Sequence, residues 1–478
     1  GANQEWATYL FASLGRGGKA VFALDVTDPG DLDEEHAASV FKWMFTSADD
    51  ADLGYQLQDV VRHPSSGQAS AIVHLNNGQF GLLVPNGYRS DAGRPALFIL
   101  SVNGPASTGW KDADGNPVAY RKLLARSADS NNGLMGAVWV DLDNNGTADV
   151  VYATDLQGQL WKFDIRSSDP QEWGSALMTT VANAEQPRPL FTALDSSGAN
   201  LSITTAPVAF FPSFGGTMIS FGTGRAIEGA DFPDTTTLQR FFTVWDKGRY
   251  VGDRINPPIE AAAGRPAVQN DLPDSRATRT QNDLPAATFV RRILRRDPVT
   301  REVYQVQVSA TGEPVVQNGA EVRLGADDVT QRFDPALHDG WYMDFPATGE
   351  AVISSPVRRL GFVMFTTVRP LSQSEGEQSC SLAPQGALYA FNPLNGLPIR
   401  SLFSDGSFFM AGDVKDQRVI GVTTTLDGKP VTSPEACVAG SPGCVCDAAE
   451  QNCTIPPEPA CGPGKIATRV IGTNGTEE

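Results

Sequence analysis

Short runs of apolar, β-branched and aromatic residues recur along most of the chain, and Gly, Asn-Gly or Asp-Pro follows many of them. They include residues 20–26 (AVFALDV), 69–75 (ASAIVHL), 80–84 (FGLLV), 96–102 (ALFILSV), 137–140 (AVWV), 150–153 (VVYA) and 159–165 (QLWKFDI). Further runs lie at 218–221 (MISF), 240–245 (RFFTVW), 362–368 (FVMFTTV) and 387–392 (ALYAFN). This pattern predicts antiparallel strands joined by tight turns. A loose repeat runs through them. One element is a Gly-initiated strand ending in an acidic or Asn turn: GKAVFALDVTDPG, GQLWKFDIRSSDP, GALYAFNPLNG. A second pairs a small residue and Pro with a strand, in TTAPVAFF and SSPVRRLGFV, with GLMGAVWVDLDNNG as a Pro-less version. Repeats of this kind predict propeller blades, in which each small sheet buries its faces against its neighbours. One or two β-sandwiches are the alternative; the extent of the repeats favours an all-β propeller over residues 1–434.

Two stretches break the pattern. Residues 252–300 are rich in Pro, Asp and Arg, contain QNDLP twice and carry the cluster Arg291, Arg292, Arg295 and Arg296. They read as an irregular, solvated insertion with a short helix near 288–294; a partner-binding patch is the sharper alternative. Residues 435–478 form a Cys-rich C-terminal tail. Five of the six Cys fall between Cys437 and Cys461, with Cys380 upstream, and none of the four His lies near them in sequence. No CxxC pair occurs, so disulfides formed in an oxidising compartment are expected rather than zinc; the connectivity stays open.

Composition narrows the function. The chain has 478 residues, 41% hydrophobic, with 47 Gly and 33 Pro, enough apolar content for a large core and too many turn formers for a helical bundle. With 37 Lys+Arg against 55 Asp+Glu the net charge is −18. That balance excludes general binding to nucleic acid phosphate and suits divalent cations. No apolar run approaches the ~18–20 residues of a membrane span. With no initiator Met and no leader, the sequence reads as a mature fragment or a domain of something longer.

The chemistry concentrates in DLDNNGTAD, residues 141–149. Carboxylates stand at the first, third and ninth positions (Asp141, Asp143, Asp149), an amide oxygen at the fifth (Asn145), Gly146 at the sixth, and the Thr147 carbonyl at the seventh. This matches the first part of an EF-hand-type Ca²⁺ loop, where alternate residues turn oxygens inward onto a hard cation. Tyr152 stands where the bidentate Glu would close the loop, and strand-like residues flank it on both sides. Asp149 must therefore close the site, with affinity on the order of 10⁻⁵–10⁻³ M. A second acidic segment, with Asp112, Asp114 and Asn116, is interrupted by Pro117 and reads as a turn.

The run GAVWVDLDNNGTADVVYATDLQGQLWKFDI resembles the calcium-bearing blade of PilY-type proteins, the type IV pilus biogenesis factors and tip-associated adhesins of Gram-negative bacteria. So do GRGGKAVFALDVTDP, NGYRSDAGRPALFIL, LSITTAPVAF, FGTGR and FFTVWDKG, in the same order; GALYAFNPLNG extends the likeness to about residue 400. The resemblance implies a modified seven-bladed β-propeller with one Ca²⁺ held by Asp141, Asp143, Asn145, Asp149 and the Thr147 carbonyl. It also implies export through the periplasm to the cell surface and pilus tip. The implied partners there are minor pilins and a host or abiotic surface. The implied role is pilus biogenesis, adhesion and twitching motility, with calcium regulating the balance of extension and retraction. The family's N-terminal region is absent, no Arg-Gly-Asp occurs, and the Cys-rich tail does not map onto the family pattern. Two other classes share the propeller. A quinoprotein-type dehydrogenase would use a vicinal disulfide, whereas Cys444 and Cys446 are separated by Val445; an integrin-α-like propeller carries several such loops, whereas one complete copy occurs here. The chain is therefore expected to be a non-enzyme.

Overall fold

The runs picked out above form strands. The computed structural model describes residues 7–246 apart from 59–71, 127–130, 196, 214, 229–230 and 232–235. Beyond 246 it describes 249–250, 268–269, 292–296, 303–307, 316–321, 340–345, 348–359, 362–368, 386–394, 407–410, 422–426, 429–432, 445–446 and 453–454. Among these residues the only α-helix is Ala37–Val40, and no helix is long and apolar enough to cross a membrane.

The strands assemble into successive antiparallel meanders. The first sheet comprises β1 (Tyr9–Ser13), β2 (Ala20–Asp25) and β3 (Phe41–Thr46). The second contains β4 (Ile72–His74), β5 (Phe80–Pro85), β6 (Ala96–Ser101) and β7 (Tyr120–Leu124). The third is β8 (Leu134–Val140), β9 (Val150–Asp155), β10 (Gln159–Asp164) and β11 (Gly174–Ser175). A separate hairpin, β12 (Met178–Val181) with β13 (Ala184–Pro187), follows, and β14 (Phe191–Thr192) returns to pair with β10. The fourth sheet is β15 (Val208–Phe210), β16 (Thr217–Gly222) and β17 (Arg240–Asp246), completed by Gly340–Asp344. The fifth meander runs through Val357–Arg359, Phe362–Thr366, Gly386–Phe391 and Ser407–Met410.

Successive side chains of a strand point to opposite faces of its sheet. In the second, third and fourth sheets both faces are buried, and each belongs to a different core. In β8, Ala137 and Trp139 join the core shared with the second sheet, while Val138 and Val140 join the one shared with the fourth. In β6, Leu97 and Ile99 face the third sheet, and Phe98 and Leu100 face the first. In β17, Phe242 and Val244 face the third sheet, and Phe241 and Trp245 face the fifth. Sheets stacked in chain order, each between two neighbours, are the blades of a propeller. A β-sandwich would bury only the inner face of each sheet. β8 closely approaches the segment leading into β15: a Cβ on Gly136 would lie 2.4 Å from the Ala206 backbone, so only Gly fits there.

Asp155 fixes the β9–β10 turn. Its Oδ1 accepts from the Gln157 and Gln159 amides at 2.9 and 2.8 Å, and its Oδ2 accepts from Trp161 Nε1 and Asn132 Nδ2 at 2.8 and 3.0 Å. Burial pushes this carboxyl up to about 6 against those four donors. Its folded pKa exceeds the unfolded one, so its contribution to stability is full below the unfolded pKa and is lost as pH rises through about 6. Asp155→Asn sets an NH₂ group against donors and is expected to cost about 2 kcal/mol at neutral pH. The loss should widen on acidification, because the variant lacks the wild type's gain; urea denaturation at pH 5 and pH 7 measures this.

Residues 292–296 form a strand, Arg292–Arg296, paired antiparallel with Val303–Gln307, and not the end of a short helix. Thr288, Phe289, Val290 and Ile293 are β-branched or aromatic residues, which favour strand over helix here. In the tail, Val445–Cys446 pairs with Cys453–Thr454, which sets Cys446 opposite Cys453 in the backbone register. The cysteine side chains, and with them the expected disulfides, lie outside the described residues.

Candidate metal centre

The loop 141–149 joins two paired strands. Val140 stands opposite Val150 across β8 and β9, and the Asp149 amide closes the turn by donating to the Val140 carbonyl at 2.9 Å. The Asp149 carbonyl accepts from the Ile165 amide at 2.9 Å, which ties the loop's end to the chain leaving β10. Reversal within so few residues requires left-handed backbone. Asn144 supplies it at φ 61° and Gly146 at φ 90°, residue types that tolerate it.

This course brings the three aspartates together. One carboxylate oxygen from each of Asp141, Asp143 and Asp149 lies within 4.8 Å of the others, the one such group of three found among the described residues. The loop's own N–H groups hold two of them in place. Asp141 accepts from the Asn145 amide at 3.2 Å and the Gly146 amide at 2.8 Å, while Asp143 accepts from the Asn145 amide at 3.1 Å and from Asn145 Nδ2 at 2.9 Å. Asp149 is fully buried. Its Oδ2 accepts from the Leu142 amide at 2.8 Å and its Oδ1 from Asn76 Nδ2 at 3.2 Å. Burial, together with the charges of Asp143 and Asp141, pushes the Asp149 carboxyl up to about 7 against these hydrogen bonds.

The other two sequence candidates lie on the loop but point differently. The Asn145 side-chain oxygen accepts from the Thr147 amide at 2.7 Å and from the Thr147 hydroxyl, so it faces Thr147 rather than the carboxylates. Thr147 is buried, and its hydroxyl also lies 2.9 Å from Asn76 Oδ1. The second acidic segment is a turn, as expected: Asp112 Oδ1 accepts from the amides of Asp114 and Asn116 at 3.0 and 2.8 Å. Sequence reasoning missed Asn76. It comes from the β4–β5 turn of the neighbouring sheet, and the only local sign is its Asn-Asn-Gly turn.

An all-oxygen set containing three carboxylates fits a hard cation of Ca²⁺ type. Mutual repulsion and the buried Asp149 carboxyl are both relieved by a divalent charge. Asn145 Oδ1 would have to turn from Thr147 to become a ligand.

The chain has recognised relatives. It is 29% identical over 488 aligned positions to the "Type IV pilus biogenesis factor PilY1 homolog" of Xylella fastidiosa, covering 96% of this chain and 26% of that protein. It is 28% identical over 408 positions to the "Type IV pilus biogenesis factor PilY1" of Pseudomonas aeruginosa PAO1, covering 82% of this chain and 29% of that one. The chain thus spans between a quarter and a third of the length of these curated relatives. Among solved structures it resembles the Pseudomonas aeruginosa PilY1 C-terminal domain, with a TM-score of 0.54 at 24% identity, over 90% of this chain and 75% of that one. That likeness bears on the fold. The family model described as the PilY1 beta-propeller domain matches residues 2–256, more than half of the sequence, and the chain belongs to that family.

Proposed function

We propose that this chain is the calcium-binding propeller of a type IV pilus assembly protein of a Gram-negative bacterium, exported through the periplasm and displayed at the pilus tip. It supports pilus biogenesis, adhesion and twitching motility, and it does no catalysis. Its partners are minor pilins and the surface to which the pilus attaches. The single observation that carries the reading is the convergence of Asp141, Asp143 and Asp149 on one strand-to-strand loop of a PilY1-family propeller.

The residues divide the work as follows. Asp141 and Asp143 present the exposed side of the site, pre-aimed by the Asn145 and Gly146 amides. Asp149 closes it from the buried side. Asn145 and the Thr147 carbonyl complete the oxygen set. Bound calcium supplies the positive charge that makes this arrangement of carboxylates favourable. A partner that contacts the ordered loop then senses calcium by linkage.

The test uses the full-length protein in its own cells. Asp141→Ala and Asp149→Ala are expected to disturb both surface piliation and twitching while the protein is still exported. Wild-type values in both variants at equal protein levels would refute the role.

A further inference from the structure

Asn76 lies 71 to 73 residues before its partners in the loop and on a different sheet, yet it touches the loop through both ends of its amide. Its Nδ2 donates to the Ala148 carbonyl at 2.8 Å, to Asp149 Oδ1 at 3.2 Å and to the Ile165 carbonyl at 3.4 Å. Its Oδ1 lies 2.9 Å from the Thr147 hydroxyl, whose single proton it shares with Asn145 Oδ1. The backbone beside it is also joined to the loop: the Ala148 amide donates to the His74 carbonyl at 2.9 Å, and Leu75 and Ala148 form a parallel bridge. We infer that Asn76 is a positioning residue for the metal site, and that it carries the state of the site across the blade boundary into the β4–β5 hairpin. This inference rests on the calcium reading above.

Asn76 acts both on the site and on its own hairpin. Toward the site, Asn76 and the Leu142 amide each take one oxygen of the buried Asp149, so the carboxylate's orientation is fixed from both sides. A neutral amide does this without bringing a cation that would compete with the metal. Partners of this kind, one step behind the ligands, set affinity by about 10–100-fold. Away from the site, Asn76 opens a tight turn: the Leu75 amide donates to the Gln79 carbonyl and the Gly78 amide to the Leu75 carbonyl, both at 2.9 Å, with Gly78 at φ 79°. A pull on Asp149 or Thr147 therefore acts on the residue that starts this turn. Leu75, Asn77, Gln79 and Phe80 form one wall of a groove of about 450 Å³, which Trp173 of the next blade helps to line. The metal site and that groove thus share one short hairpin.

The experiment combines calorimetric titration of calcium chloride with hydrogen exchange at the hairpin amides. Wild type and Asn76→Ala are compared in the same propeller chain. Asn76→Ala is expected to bind calcium about 10–100-fold more weakly. In wild type, calcium is expected to slow exchange at the Leu75 and Gly78 amides as well as across 141–149. In calcium-saturated Asn76→Ala, only the 141–149 protection should remain. Equal affinity in the two proteins overturns the positioning role. Calcium-independent exchange at Leu75 and Gly78 in wild type overturns the route, and this arm needs no variant to fold. If wild type takes up no calcium at all, the metal reading itself fails and this inference falls with it.

Discussion

Asp149→Ala should leave the loop unable to hold calcium at concentrations that saturate the wild type. Asp149 is the buried member of the three carboxylates and the one that closes the site from the strand side. No replacement is available three residues on. The loop rule would place a Glu there, but Tyr152 occupies the position and its hydroxyl donates to Asp246 Oδ2 at 2.6 Å, within the interface to the next sheet. At an effective dielectric of about 20, unit charges about 4 Å apart attract by about 4 kcal/mol, and a divalent ion gains more. Desolvation of a buried carboxylate takes back part of this. A net loss of about 3 kcal/mol, or about 100-fold in affinity, is the expected result. Calorimetric titration of both proteins reads it directly; affinities within a factor of about two would remove Asp149 from the ligand set.

The second large effect is on stability. Lys162 on β10 is almost wholly buried and pairs with Asp246 at the end of β17 at 2.9 Å, with the Tyr152 hydroxyl on the same carboxylate oxygen. The pair therefore pins the third sheet to the fourth. Asp246→Ala deprives the buried ammonium of this carboxylate and is expected to cost about 3–5 kcal/mol in chemical denaturation. Replacing both members with apolar residues of similar volume, as in Lys162→Met with Asp246→Leu, should cost less than the single change, because no buried charge is then left behind. A single-variant loss below about 1 kcal/mol would mean that the ammonium finds water or another partner at little cost.

The strands were legible because they are short, apolar and bounded by turn residues; each run named from the sequence overlaps one. β3 (FKWMFT) and β7 (YRKLL) escape the pattern because Lys42, Arg121 and Lys122 interrupt the apolar run, although Lys122 turns to the buried Asp50 and Asp52 rather than to solvent. The carboxylate cluster was equally legible, since its ligand spacing is local and a loop of that length has few ways to fold. Two things were not. The side-chain direction of Asn145 depends on Thr147, whose hydroxyl offers a nearby donor that competes for the same oxygen. The role of Asn76 depends on which blade lies beside the loop, and nothing within residues 141–149 encodes that. The short helix expected near 288–294 gives way to a strand at Arg292–Arg296, where pairing with Val303–Gln307 overrides the local charge pattern.

Because adjacent residues of β8 from Ala137 to Val140 serve opposite interfaces, a residue inserted there without a bulge such as the one at Leu134/Gly136 would invert the facing of all that follow. Two seams of the wheel would open at once, and polar positions would be driven into both. Length changes among homologous chains should therefore collect in the connections between strands, while the strands themselves keep a fixed reading frame. On the calcium reading proposed above, the 141–149 connection would be the exception, because the spacing of its three aspartates would impose a second frame.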